Sequence, residues 1–287
     1  MKVDAILCGD IHLRETQPTC RTDDFWETQR LKLEWLSMLQ KKYNCPVYHS
    51  GDLFDNWKPS PRLLTFAFDY LPHQFYTIAG NHDLPQHNIK FIEKSGLFTL
   101  YSAGKIELLD GVHWEMEPES KDYIDIKGRK ILIRHIMVSL KKEFWQPEQD
   151  KVAAYYLKKE KQADLILTGH NHKKFVLEHK GKVLVNPGSL FRLKADQVDH
   201  EPAVFLYDAK NNKVKEVKYP IDKKVVSREK LEQEKKDNEK VTAFIERLRN
   251  DIEFTFDFKQ NIENAFSENN ISEKLKNIIR EAMDVVS

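Results

Sequence analysis

Through most of the chain the apolar positions fall into short blocks, each closed by small or polar residues. Residues 3–7 run into Cys8-Gly9-Asp10, residues 46–49 into Ser50-Gly51-Asp52, and residues 74–78 into Ala79-Gly80-Asn81. Residues 130–134 end at His135, and residues 164–167 at Thr168-Gly169-His170. Such blocks, rich in Val, Ile, Leu or Tyr, are too short for helices and predict buried strands. Between them, residues 30–43 place Leu31, Trp35, Met38, Leu39 and Tyr43 at helical spacing, which predicts an amphipathic helix on that stripe. Residues 62–71 and 149–161 predict two more. Strands alternating with helices give an α/β sheet, whose functional groups gather beyond the C-terminal ends of the strands.

From residue 174 to 219 the pattern changes to hairpins. Residues 175–179 and 183–185 flank Lys180-Gly181, and residues 203–207 and 214–219 flank Asn211-Asn212, an arrangement that predicts antiparallel pairs. Every Gly lies at or before Gly188 and the last Pro is Pro220. Because Gly and Pro punctuate turns, a mixed domain over 1–221 and a helical C-terminal extension over 222–287 are expected. In that extension Val241, Phe244, Ile245, Leu248 and Ile252, then Phe258, Ile262 and Phe266, then Leu275, Ile278, Ile279, Ala282 and Val286 recur at helical spacing, with Ser272 as N-cap of the last helix. The charge-rich stretch 223–240 mixes both signs and reads as a solvated helix face.

Charge removes one easy answer. Lys+Arg 46 against Asp+Glu 45 leaves a formal net charge of +1, so any binding to a polyanion must be local. No apolar run approaches the length that crosses a bilayer. Three cysteines without C-x-x-C spacing, and a first segment unlike a signal peptide, lead to the expectation of a reducing cytoplasm.

The polar residues that close the five strands are Asp10 and His12, Asp52 and Asp55, Asn81, His82 and Asp83, His135, and His170 and His172. Carboxylates and imidazoles without thiolates suit Mn, Fe, Zn or a similar divalent ion. There are more donors than one ion needs. Two ions sharing a carboxylate would use them, and such a pair stabilises both the attacking and the leaving oxygen in displacement at phosphorus. The histidines at 49, 73, 87, 113, 179 and 200 fit no such pattern and read as surface or packed residues, and Cys8 as a small buried hydrophobe. Phe54 and Trp57 are candidates either for stacking on a base or for packing. Lys58, Arg192 and Lys194 lie in loops that could border the site.

Gly9-Asp10-Ile11-His12, Gly51-Asp52-Leu53-Phe54-Asp55, Gly80-Asn81-His82-Asp83, a lone strand-end His135 and Gly169-His170-Asn171-His172, followed by Asn186-Pro187-Gly188-Ser189, stand in the order of the calcineurin-like metallophosphoesterase motifs. The chain resembles that superfamily, and five short motifs in order at strand ends make the resemblance specific. It implies a four-layer sandwich of two packed mixed sheets flanked by helices. It also implies one metal held by Asp10, His12, Asp52 and His172 and a second by Asp52, Asn81, His135 and His170, with Asp52 bridging. His82 would protonate the leaving oxygen or stabilise its charge, and Asp83 would orient His82 or a ligand.

Within the superfamily, residues 51–55 with Pro59 and Pro61, and Arg134-His135-Ile136-Met137, look most like the SbcD-type DNA repair exonucleases. That resemblance implies two divalent ions, Mn first with Fe, Zn or Mg as alternatives, and a DNA substrate. It also implies a homodimer and an SbcC-like coiled-coil ATPase as partner. Asp55 stands where some relatives carry a His implicated in exonuclease action, which leaves exonuclease or endonuclease preference open. The extension is shorter than the usual capping and ATPase-binding regions; it could dock on a coiled coil or pack on its own domain. The alternative is a stand-alone phosphoesterase acting on nucleotides, cyclic nucleotides or phosphoproteins.

Overall fold

The computed structural model describes residues 1–109, 123–141, 152–227, 229, 262–263, 265–267 and 271–284, with side chains to 280 in the last segment. The strands are β1 (Ala5–Cys8), β2 (Val47–His49), β3 (Phe75–Thr77), β4 (Glu107–Leu108), β5 (Ile124–Ile126) and β6 (Arg129–Arg134). They continue with β7 (Leu165–Thr168), β8 (Phe175–His179), β9 (Lys182–Asn186), β10 (Ala203–Asp208) and β11 (Lys213–Lys218). The helices are α1 (Phe25–Tyr43), α2 (Pro61–Tyr70), α3 (Gly96–Ser102), α4 (Ala153–Lys159) and α5 (Glu273–Asp284). One sheet has the order β11-β10-β1-β2-β3-β4 and the other β5-β6-β7-β9-β8. β1 to β4 run parallel, whereas β10 joins β1 antiparallel, with Ala5 opposite Tyr207.

Residue parity along each strand assigns the layers, because successive side chains point to opposite faces. Ala5 and Leu7 of β1 meet Ile131 and Ile133 of β6, Leu165 and Leu167 of β7, and Val183 and Val185 of β9 between the sheets. Ile6 and Cys8 turn the other way, into a core built with Leu33, Leu36 and Leu39 of α1 and with Leu63, Phe66 and Ala67 of α2. Leu132, Ile166 and Leu184 face Ala153 and Leu157 of α4 on the outside of the second sheet. The order is therefore helices, sheet, sheet, helix. Strands covered on both faces need apolar residues at every position, which explains their short, unbroken blocks.

α1 departs from the predicted stripe. It begins at Phe25, five residues before the expected start, where the Asp24 side chain accepts the Glu27 N–H as N-cap. Its buried face is Phe25, Gln29, Lys32, Leu33, Leu36, Leu39 and Gln40, whereas Leu31 and Met38 are exposed. Polar residues can occupy that face because each finds a partner. Gln29 exchanges hydrogen bonds with the Arg14 backbone N–H and C=O, Gln40 donates to the His73 carbonyl, and Lys32 to the Leu190 carbonyl. Phe54 is fully buried in the first core and so packs instead of facing a base, while Trp57 is half-buried.

The chain divides into two compact units, Met1–Arg228 and Glu229–Ser287. In the first unit the segment after β11 returns to the N-terminal region, where Thr22 N–H donates to the Val225 carbonyl and Ser227 N–H to that of Cys20. In the second, α5 begins directly after Ser272, and Arg280 forks onto the Glu263 carboxylate at 2.8 Å while lying over the Phe266 ring. The predicted helical positions at 241–252 and 258, and the charge-rich stretch beyond 227 apart from Glu229, lie outside the described residues. Among the described residues no helix is long and apolar enough to cross a membrane.

Candidate metal centre

The residues after β1, β2 and β3 in one sheet, and after β6 and β7 in the other, converge at one end of the sandwich. Three of the expected ligands, His12, Asp52 and His170, have positive φ, at 53°, 57° and 72°. The left-handed region is uncommon for residues other than Gly, and its use at three ligands turns each chain end back toward the others. Gly80 is required for a different reason. A Cβ there would overlap the backbone N and Oδ1 of Asp52, so only Gly allows the loops after β2 and β3 to approach so closely.

The donors collect in two main groups. Asp10, His12 and His172 offer atoms within 4.8 Å of one another, as do Asp52, His135 and His170. In the first group His12 Nε2 and His172 Nε2 are 3.1 Å apart, and His172 Nε2 is 3.3 Å from Asp10 Oδ2. In the second, Asn81 Oδ1 is 3.0 Å from His135 Nε2 and 2.9 Å from His170 Nδ1. Asp52 Oδ2 lies between the groups, 3.5 Å from His12 Nε2 and 3.2 Å from His135 Nε2. Asp10 and His135 are fully buried, and Asp52 is 1% exposed.

Titration follows from that crowding. Burial holds His12 down at about 4 and His170 at about 4, so both are neutral imidazoles at pH 7. Burial alone would also lower His135, but the charge and hydrogen bond of Asp52, the Asp10 charge and the Ser50 carbonyl outweigh it and lift this histidine to about 9. Burial would raise Asp52, yet the His135 charge holds its carboxyl well below the usual range.

These features test whether a cation fits. His135 Nδ1 is 2.8 Å from the Ser50 carbonyl oxygen and can only donate to it, which leaves Nε2 facing the Asn81 oxygen, the Asp52 carboxylate and a nitrogen of neutral His170. Four lone-pair bearers aimed at one point demand positive charge. A proton on His135 answers that demand, and a divalent ion would answer it better. The facing Nε2 atoms of His12 and His172 make the same demand in the first group. The residues fit two ions with Asp52 between them.

The domain model of the calcineurin-like phosphoesterase superfamily matches residues 2–212. The chain belongs to that superfamily. It is a metal-dependent phosphoesterase, and the donor groups mark a divalent-metal centre. No curated protein matches the chain significantly. Among solved structures, an archaeal phosphodiesterase is 13% identical over 75% of this chain and 99% of its own, with a TM-score of 0.45. Vps29 from Entamoeba histolytica is 16% identical over 75% and 99%, with a TM-score of 0.37. A phosphoesterase predicted in Streptococcus pneumoniae is 15% identical over 76% and 98%, with a TM-score of 0.37.

In this member of the superfamily the remaining expected residues surround the donors. His82 Nδ1 lies 2.8 Å from the Asp55 carbonyl oxygen and donates to it, leaving Nε2 as the ring atom free to act, and its backbone N–H donates to Asp52 Oδ1 at 2.8 Å. The His82 ring meets His12 edge to face at 4.8 Å. The Asp55 carboxylate sits between His12 Nδ1, at 3.8 Å, and Arg14, at 3.3 Å. Among the described residues Asp83 makes no hydrogen bond to the His82 ring, whose Nδ1 bonds the Asp55 carbonyl. It is fully buried and accepts the N–H groups of Leu53, Phe54 and Gly80 at 3.0–3.1 Å, tying the Asp52 loop to the Asn81 loop.

Several supporting residues escaped the sequence reading. Arg14 gives the Asp55 carboxylate its cationic partner. Asn171 donates to the Val138 carbonyl and accepts the Lys173 N–H, fixing the turn that carries His170 and His172. His87 and His200, which fit no motif, pack with their rings bonded to the carbonyls of Asn81 and Ser189. Asn171 stood inside a recognised motif and Arg14 two residues beyond one; the two histidines carried no local signal. Arg192, expected at the border of the site, is buried and lines a separate cavity.

Proposed function

We propose that this chain is a two-metal phosphodiesterase that hydrolyses DNA phosphodiester bonds, as exonuclease or endonuclease, in repair or recombination. The observation that carries the reading is the pair of donor groups with the Asp52 carboxylate between them. The DNA substrate is supported by the SbcD-type pattern at residues 51–55, Pro59, Pro61 and 134–137. Mn is the proposed working ion, with Asp10, His12, Asp52 and His172 holding one and Asp52, Asn81, His135 and His170 the other. When bound, such a pair supplies Lewis acidity and a nucleophilic water at neutral pH.

The chain's own residues do the rest. His82, anchored through Nδ1 to the Asp55 carbonyl, presents Nε2 to the leaving oxygen and gives it a proton. Asp55, held by Arg14, places its negative charge 3.8 Å from the outer nitrogen of His12 without a hydrogen bond to it. Asp83 fixes the two loops that carry Asp52, Asn81 and His82. An SbcC-like coiled-coil ATPase is the proposed partner.

The test is Mn-dependent cleavage of end-labelled linear double-stranded and single-stranded DNA by wild type and by Asp52→Ala. Cleavage by wild type alone supports the reading. No cleavage of DNA in the presence of an SbcC-like ATPase, with hydrolysis of a small phosphodiester in the same buffer, rejects it in favour of a nucleotide or phosphoprotein phosphoesterase.

A further inference from the structure

Lysine is rarely buried unless its charge is matched. Lys32, on the inner face of α1, is only 2% exposed. Its Nζ donates to the Leu190 carbonyl at 2.7 Å and lies 4.8 Å and 5.1 Å from the ring centroids of Phe191 and Tyr219. Two guanidinium groups stand around the same space, those of Arg21 and Arg192, 5% and 2% exposed. Together the three cations line a cavity of about 170 Å³, which residues 219–222 also line.

The positive charge is not balanced. Arg21 forks onto the Asp23 carboxylate and is paired. Arg192 spends its terminal nitrogens on the carbonyls of Val198 and Asp222, and its buried Nε has no hydrogen-bond partner. The Asp222 carboxylate is exposed and accepts the Lys224 N–H. Among the described residues neither Lys32 nor Arg192 has a carboxylate within ion-pair distance. Two buried cations without a counter-charge are costly, and both leave donors unused. Lys32 has two N–H groups beyond the one given to Leu190, and Arg192 has Nε–H.

We infer that this cavity binds a phosphate-type tetrahedral oxyanion, held among the Lys32 ammonium and the Arg192 guanidinium beside the Arg21–Asp23 pair. A guanidinium and an ammonium lining one half-open cavity are the donors that recognise phosphate. The titration of Lys32 agrees. Burial, then the charges of Arg21 and Arg192, push it well below the ordinary lysine range, and an anion would reverse that push. None of the donors of the metal centre lines the cavity, so this is a second site. It is joined to the first by one residue: Leu190 N–H donates to the Asp10 carbonyl at 2.8 Å, while its own carbonyl accepts from Lys32. The adjacent Ser189 N–H donates to the carbonyl of His172. An occupant would therefore brace the strap that supports a ligand of the first donor group.

The anion could be free phosphate or the phosphoryl end of a nucleic acid, and the assay separates them. Full-length protein stripped of metal by chelator, which removes anion binding at the catalytic centre, is titrated with inorganic phosphate by calorimetry, with chloride as the ionic-strength control. Saturable binding at one site is expected, weakened about tenfold or more in Arg192→Gln and in Lys32→Met by the loss of a charge-assisted bond. Displacement of phosphate by a 5′-phosphorylated dinucleotide, but not by its unphosphorylated form, assigns the site to nucleic-acid ends, and failure to displace assigns it to free phosphate. Should the variants not fold, wild-type crystals soaked in tungstate give the same answer, with an anomalous peak in the cavity lined by Lys32 and Arg192. No saturable phosphate binding, unchanged affinity in a folded Arg192→Gln, or tungstate only at the metal centre overturns the inference.

Discussion

Replacing Asp83 separates a loop-fixing carboxylate from one that acts on substrate. Its side chain is fully buried and accepts three backbone N–H groups, those of Leu53 and Gly80 on Oδ2 and that of Phe54 on Oδ1. Asp83→Ala orphans all three. A buried donor left without a partner costs about 1–3 kcal/mol, so the ceiling is about 9 kcal/mol, and water entering the small void brings the expected loss to about 3–5 kcal/mol. Asp83→Asn, with its oxygen at the Oδ2 position, keeps two of the three bonds and sets its amide against the Phe54 N–H. Its loss should be about 1–3 kcal/mol.

Urea unfolding followed by tryptophan fluorescence, in chelator so that metal affinity does not enter, measures both variants. Burial, then the Asp52 charge, lift Asp83 to about 7 against the pull of its three hydrogen bonds. The comparison therefore belongs at about pH 8, where the wild-type group is ionised. Equal midpoints for the Ala and Asn variants, or a loss in Asp83→Ala below about 1 kcal/mol, would refute the assignment of Asp83 as the tie between the loops.

Three further outcomes follow from the geometry. Gly80→Ala pushes a methyl group into the Asp52 carboxylate, and should lower stability by about 1–3 kcal/mol and reduce bound metal measured by elemental analysis; full metal occupancy would contradict the close approach. His49 is fully buried, with Nδ1 against Thr77 Oγ1 at 2.8 Å, and burial holds it at about 3 against 6.5 when unfolded. Below pH 6.5 the unfolded chain takes up a proton that native His49 refuses, so this group lowers stability as pH falls, by about 2 kcal/mol between pH 6.5 and 5, and His49→Asn should make the slope in denaturant titrations shallower by that share, leaving the part that His12 and His170 contribute. His82→Ala should keep its metal and lose about 10²- to 10⁴-fold in phosphodiester hydrolysis; activity within a few-fold of wild type would remove His82 from the proton-transfer step.

How far the site could be read in advance depended on locality. Each donor stands within five residues of a strand end, and a strand end is written locally, as an apolar block broken by Gly or a polar residue. Lys32 and Gln29 show the limit. Their burial on α1 is made possible by the Leu190 carbonyl and the Arg14 backbone, partners that no helical period can announce, so the predicted face included Leu31 and Met38, which the structure exposes. The division into two sheets was likewise not written in single strands, because β1 and β7, one from each sheet, are both four-residue, fully buried strands. It emerges from which faces pack, and the four-layer expectation came from the resemblance of the motifs.

The pairing of β1 with β10 also sets a timetable for synthesis. Asp4 Oδ2 accepts the Ala209 N–H across 205 residues, and His12 meets His172 across 160. At ribosomal rates of about 5–20 residues per second, roughly 10 to 40 s separate the two halves of that strand pair. Until the later half emerges, β1 lacks its antiparallel neighbour and offers an apolar edge to any passing strand. A chain cut short before residue 203 keeps all the donors but not the strand that completes the first sheet. Such a fragment is a substrate for proteases and chaperones, and the chain's earliest strand depends on one of its last.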